Sequence, residues 1–213
     1  MVNDPLDSTN TVLRITNHIK DYVSGGKRAE YLIRPKDFVG QKIKYSFKFL
    51  LPESFFRKGE GRNTYIVYQW HDEPAPGYSW VTYNKITEPP INSQVKYNPN
   101  GNIVLYFLSG LKSGTMNEVV KIKCPENLAP YKWYTFSYEI LWGLYNNKSY
   151  SAPKLDNQYF VNRINPKDST LTHNIYNSIP NYFKFGLYRQ GRQKHNRSIY
   201  LDDFKLESEK NNY

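Results

Sequence analysis

Between Asn181 and Gln190 the chain reads N-Y-F-K-F-G-L-Y-R-Q, and its residues sort by parity. A β-strand sends successive side chains to opposite faces. Phe183, Phe185 and Leu187 then share one face, and Tyr182, Lys184, Gly186, Tyr188 and Gln190 share the other. Such a strand belongs in a sheet with one packed side and one wet side. Lys and Tyr around a glycine also suit a merely solvated face. The parity alone therefore fixes a sheet and leaves the purpose of its polar side open.

Two distant stretches sort in the same way. Arg28-Ala29-Glu30-Tyr31 places Arg28 and Glu30 together, and Gln69-Trp70-His71 places Gln69 and His71 together. Combined with the late strand they supply Arg28, Gln69, His71, Lys184 and Tyr188, a set suited to an acidic sugar. Arg28 and Glu30 taken alone make an ordinary surface ion pair worth ~0–1 kcal/mol. Arginine is also the side chain best shaped to hold a carboxylate with two parallel hydrogen bonds.

Alternation recurs along the chain. Ile43, Tyr45, Phe47 and Phe49 alternate with Lys42, Lys44, Ser46 and Lys48, whose lysines are expected to face solvent. Tyr134, Phe136, Tyr138, Ile140 and Trp142 form a core stripe. In Tyr65 to His71 the parity puts Val67 with Gln69 and His71. Further strands are expected at Thr11 to Thr16, Arg28 to Ile33, Ile103 to Leu108, Glu118 to Lys123 and Ser198 to Leu206. Positions 145 to 179 read as mostly loop with one short strand near Tyr159 to Arg163. Clear helix signals are scarce, and no repeat or nucleotide-binding glycine pattern appears. A chain of 213 residues so patterned is expected to form one all-β domain, 1–213, built as a sandwich.

Aromatic residues make up 16% of the chain, which favours strands and offers flat surfaces for sugar rings. Tyr78, Trp80 and Tyr83 are candidate platforms, with core packing as the competing role. The formal charge of +10 draws polyanions toward the surface. No apolar run approaches the ~20 residues of a membrane-spanning helix. Cys124 is the single cysteine, so no internal disulfide forms, and it reads as a passive thiol. The segment from Met1 to Pro5 lacks the basic and apolar parts of a secretory leader. The expectation is a secreted or periplasmic protein whose leader has been removed, or one that reaches its target by another route.

Arg189 to Arg197 is a dense basic turn in which Arg189 and Arg192 are candidate anion contacts. Ser54 to Asn63 is a basic, glycine-containing loop suited to anions or to ordinary solvation. Asp202-Asp203 is a candidate contact for a structural Ca²⁺, although two carboxylates fall short of the six or more oxygens such a site needs. His173 reads as a surface histidine.

R-A-E-Y at Arg28, Q-W-H at Gln69 and Y-F-K-F-G-L-Y-R-Q at Tyr182 resemble, in order, the signature blocks of β-jelly-roll polysaccharide lyases. That group includes the alginate lyases, the glucuronan lyases and the heparin lyase I type. The tryptophan in Q-W-H and the arginine in L-Y-R look more like the glucuronan and heparin lyase branch. Leu32 stands where the alginate motif carries a second arginine.

The resemblance implies a concanavalin A-like jelly roll of two antiparallel sheets with a concave groove. It also implies β-elimination on a uronate polymer, with glucuronan-like chains first and heparin-like or alginate chains next. Gln69 and Arg28 would neutralise the sugar carboxylate in the manner of an oxyanion hole. The His71 imidazole would take the C5 proton or help hold the carboxylate. Tyr188 would protonate the leaving oxygen, or serve as both base and acid in a syn elimination. Lys184, Arg189, Glu30, Trp80, Tyr83 and Arg192 would contact substrate. The scheme requires no metal or organic cofactor, and the expected partner is an anionic polysaccharide met by a monomer, with neither nucleic acid nor membrane involved. A non-catalytic module for acidic glycans is the competing reading. Glycoside hydrolysis wants two carboxylates across the cleft, and only Glu30 stands on the polar face.

Overall fold

The computed structural model describes residues 1–23, 26–34, 40–56, 64–79, 89–97, 103–111, 119–143, 149–160, 174–175, 177, 179–189 and 194–209. Trp80, Tyr83, Gln190, Arg192 and His173 lie outside the described residues, as does most of the basic loop from Ser54 to Asn63.

Thirteen strands run through the described residues, with one 3₁₀ turn at Glu53–Phe56. The first sheet holds β1 (Val2–Asn3), β2 (Thr11–Asn17), β4 (Lys42–Leu50), β9 (Trp133–Leu141), β10 (Tyr150–Leu155), β11 (Gln158–Tyr159) and β13 (Arg197–Glu209), in the spatial order β1-β2-β13-β4-β9-β10-β11. The second holds β3 (Lys27–Ile33), β5 (Thr64–His71), β6 (Ile91–Tyr97), β7 (Ile103–Leu111), β8 (Val119–Leu128) and β12 (Tyr182–Arg189), ordered β3-β12-β5-β6-β7-β8. All pairings within each sheet are antiparallel. β5 to β8 run as a meander, whereas the two late strands are inserted: β12 lies between β3 and β5, and β13 between β2 and β4.

The sandwich closes on aromatics from both sheets. Tyr45 and Tyr138 of the first sheet meet Trp70 of the second, with ring centroids 4.9 and 4.8 Å apart. Phe47 packs edge-on against Tyr68 at 5.4 Å, and Phe183 lies against Trp70 at 4.6 Å. Phe183, Phe185 and Leu187 are buried, as are Tyr134, Phe136, Tyr138, Ile140 and Trp142. The core faces read from the alternation are therefore the core faces of the fold, a β-sandwich of jelly-roll type. Among the described residues no helix is long and apolar enough to cross a membrane.

Several expectations are corrected. Val67 is only 3% exposed in the core, away from Gln69 and His71. The β5 register shifts between Ile66 and Tyr68 on the β6 side and between Phe185 and Tyr188 on the β12 side, so Ile66 is the residue paired with Tyr188. An extra residue in one strand inverts the parity beyond it. β10 occupies ground expected to be loop, and it carries Pro153, which cannot donate to a ladder. It is tolerated there: Pro153 is paired with Tyr138 of β9 on one side. β11 covers only Lys154 and Leu155 on the other, so that part of β10 is a sheet edge. β6 carries Asn92 and a fully buried Ser93 that bonds the Tyr68 hydroxyl, so an inward hydroxyl stands where a core strand usually shows an apolar residue. Asp202 accepts a hydrogen bond from the Asn10 amide at 3.0 Å and Asp203 pairs with Lys48 at 2.6 Å.

Candidate active site

β12 is the central element of the candidate site, and its pairings fix which residues meet. Against β3, Tyr188 stands opposite Arg28, Gly186 opposite Glu30 and Lys184 opposite Leu32. Against β5, Lys184 stands opposite Gln69 and Tyr182 opposite His71. The outer face of the second sheet therefore carries Arg28, Glu30, Gln69, His71, Tyr182, Lys184 and Tyr188 on three adjacent strands. Such close pairing depends on Gly186, whose φ is 142°. A Cβ there would collide with the Ala29 carbonyl and stand 2.9 Å from the Glu30 Cα.

The polar contacts run in sequence across the face. Gln69 Nε2 donates to Glu30 Oε1 at 2.6 Å, and Glu30 Oε2 lies 3.7 Å from Arg28 Nη1. The Arg28 guanidinium sits over the Tyr188 ring, 4.2 Å from its centroid, a cation–π arrangement that also fixes the ring plane. Gly26 closes the other side, since a Cβ at that position would overlap the Tyr188 ring. Tyr188 is thus clamped by a cation and a bare backbone.

At the other end, Tyr182 stacks on His71 with centroids 5.5 Å apart and planes inclined 14°. Two cations approach that phenol: Lys184 Nζ at 5.1 Å and the Arg34 guanidinium at 5.4 Å from the ring centroid. Arg34 is also paired with Glu73. Burial, then Glu73 and Asp72, push the Tyr182 phenol up to about 12, so it is neutral at ordinary pH. Burial holds the Lys184 ammonium below the usual lysine range, with Glu30 opposing the shift and Arg28 adding to it.

His71 Nδ1 lies 2.9 Å from the Asp72 carbonyl oxygen and 3.3 Å from Asp72 Oδ1. The carbonyl oxygen is the hydrogen-bond acceptor, so in the neutral ring Nδ1 carries the hydrogen, and the carboxylate oxygen stands beside it at ion-pair distance. Sequence reasoning missed Asp72, a buried carboxylate directly after Q-W-H. It also missed Asn92, which pairs with Gln69, and Gln94, whose amide donates to Asn92 Oδ1 at 3.2 Å. The alternation of Asn92, Gln94 and Lys96 with Ile91, Ser93 and Val95 was the available signal.

Arg189 is a correction. It is 3% exposed and its Nη1 donates to the Tyr65 hydroxyl at 3.0 Å. Tyr65 belongs to the core. Arg189 follows Tyr188 by one residue and therefore leaves the strand on the opposite side, where it cannot meet a ligand on the outer face.

Fold and site together define a jelly-roll protein whose second sheet carries amide, guanidinium, imidazole and phenol groups on one face. A sequence profile of the polysaccharide lyases matches residues 2–205, and the chain belongs to that family. No curated protein matches it by sequence. Its fold is similar to that of an endo-β-1,4-glucuronan lyase from the fungus Trichoderma reesei, with a TM-score of 0.66 at 15% identity over 92% of this chain and 80% of that one. The alginate lyase AlyC3 gives a TM-score of 0.62 at 12% identity over 95% of this chain and 76% of the other. A GH131 β-glucanase catalytic domain from Podospora anserina gives 0.52 at 14% identity, covering 92% and 71%. At these identities the likeness concerns the fold.

Proposed function

We propose that this polysaccharide lyase cleaves a uronate polymer by β-elimination on the outer face of the second sheet, with glucuronan-like chains as the first substrate class and heparin-like or alginate chains next. The observation that carries the proposal is the unbroken run Gln69–Glu30–Arg28–Tyr188 on the same face as His71 and Lys184.

A proton α to an ionised carboxylate is barely acidic, so the carboxylate must first be neutralised. Gln69 has a second amide hydrogen beyond the one held by Glu30, and Arg28 has further N–H groups. Both donors are pre-aimed by Glu30 and meet the sugar carboxylate without reorganising. Lys184, directly across from Gln69, adds a cation. His71 Nε2 takes the C5 proton, and the electrons of that C–H bond form the C4=C5 double bond. The C4–O bond breaks, and the Tyr188 hydroxyl delivers a proton to the oxygen that leaves with the neighbouring sugar. Where the C5 proton and leaving oxygen share a face, Tyr188 performs both transfers.

The test is a panel of uronate polymers monitored for ultraviolet absorbance of the new conjugated double bond. Tyr188→Phe is expected to lose ~100-fold or more in kcat while still retaining polymer. Normal turnover in that variant removes Tyr188 from the chemistry. Tight retention with no cleavage across the panel establishes a binding module instead.

A further inference from the structure

The carboxylate of Asp72 has no place in the scheme above, yet it is buried and lies 3.3 Å from Nδ1 of the proposed base. We propose that Asp72 is a positioning residue: it keeps the proton of neutral His71 on Nδ1 and stabilises the imidazolium formed once Nε2 has taken a proton. The inference rests on the lyase reading and assigns a residue to its base.

Geometry carries it. β5 ends at His71, and the chain turns so that both the carbonyl oxygen and the carboxylate of the next residue lie beside Nδ1, at 2.9 and 3.3 Å. Neither acceptor can supply a proton to the ring. The imidazole therefore cannot rest with its hydrogen on Nε2 without turning a lone pair toward the carbonyl oxygen and the nearby carboxylate. Stacking on Tyr182 at 5.5 Å holds the ring plane, and the side chain of His71 is 16% exposed, which leaves a route for ligand to one edge.

The other charged groups around the ring favour its neutral form or cancel one another. Tyr182 from β12 is uncharged because burial raises its phenol. Lys184 and Arg34 approach Tyr182 from β12 and from just beyond β3, and both disfavour a second cation. Glu73, paired with Arg34, offsets that cation. Glu30 is occupied with Gln69 and Arg28. Asp72 supplies the carboxylate nearest the ring, 3.3 Å from Nδ1, so its removal withdraws the negative charge that would stabilise the imidazolium formed during the reaction.

The experiment uses the full chain and its Asp72→Asn variant. With four histidines, nitrogen-15 spectra of the imidazoles are resolvable, and a His71→Gln spectrum assigns the signal. In the wild type, neutral His71 is expected as the Nδ1–H form. In Asp72→Asn the amide can donate to Nδ1, and the Nε2–H form should grow. On whichever uronate polymer the wild type cleaves, the variant should lose about tenfold or more in kcat with KM nearly unchanged, and the acid limb of its pH profile should move to lower pH. A purely structural role would lower the melting temperature without moving that limb or the tautomer.

A wild type resting as Nε2–H, or a folded variant with unaltered kcat and acid limb, overturns the inference. Because the wild-type tautomer is read without Asp72→Asn and without substrate, it is decided even if that variant fails to fold. An Nδ1–H wild type and a switched variant, with no polymer cleaved by either, support the positioning and refute the lyase reading alone.

Discussion

Lys184 stands where its charge is hardest to keep. Its ammonium is held below the ordinary lysine range chiefly by burial, with Glu30 partly offsetting that and Arg28 working with it. Folding therefore disfavours its protonated form. The linkage has a definite sign: the unfolded chain binds the proton more tightly, so the penalty is fully present below the lowered folded value and vanishes as pH climbs past the unfolded value of ~10.4. Lys184→Met, which keeps the aliphatic stem, should raise the melting temperature at pH 7, and the gain over wild type should shrink toward pH 10–11. The same variant should raise KM for a uronate polymer, because it removes a cation facing Gln69. Thermal unfolding across pH, set beside KM, checks both. A lower melting temperature at pH 7 would mean that the attraction of Glu30 outweighs burial. Cys124 illustrates the opposite outcome, a buried group that does no chemistry. Its thiol is pushed up to about 11 by burial and stays protonated and unreactive, as its lone position in the sequence suggested.

At the scale of the strand, β12 has to lie close to β3 for Tyr188 to reach Arg28 and for Gly186 to stand against Glu30. Gly186→Ala would force a side chain onto the Ala29 carbonyl at a φ that L residues avoid. The expected cost is about 3 kcal/mol, read as a lower denaturation midpoint at unchanged m-value, and activity should be lost beyond that fall as β3 is pushed away. An alanine variant as stable as wild type would show that the strands can separate freely. The parity of Phe183, Phe185 and Leu187 against Tyr182, Lys184 and Tyr188 was legible because the first three enter the core while Lys184 and Tyr188 are only half-buried and Tyr182, though buried, stacks on His71. Val67 was misread because a bulge leaves no mark on composition, and Arg189 because a long basic side chain beside a motif looks like a ligand contact. Its burial depends on Tyr65, which is distant in sequence and close only in the fold. Asp72 was overlooked for a related reason: a carboxylate at the end of a strand, before a proline-rich turn, reads as surface until the turn folds it inward.

For the whole molecule, Lys and Arg total 29 against 19 Asp and Glu, but the excess is not evenly available. On the first sheet, Lys42 and Lys44 are paired with Glu209, Lys42 also with Glu139, and Lys48 with Asp203. On the second sheet, Arg28, Arg34 and Lys184 gather around one face with Glu30 and Glu73 among them. If a polyanion is captured by that face, its encounter rate falls with ionic strength, since the screening length shrinks from ~30 Å at 0.01 M to ~10 Å at 0.1 M. kcat/KM on a long uronate polymer should drop about tenfold over that range, while kcat at saturation should barely change. Arg34→Gln should flatten the salt dependence, whereas Lys44→Gln, which removes the same charge from the opposite sheet, should leave the slope close to wild type. The comparison separates local steering from bulk attraction, because both variants carry the same net charge. Equal slopes in the two would place capture in the overall charge of the molecule, and a steeper loss for Lys44→Gln would move the polymer to the first sheet, where the proposed chemistry has no residues.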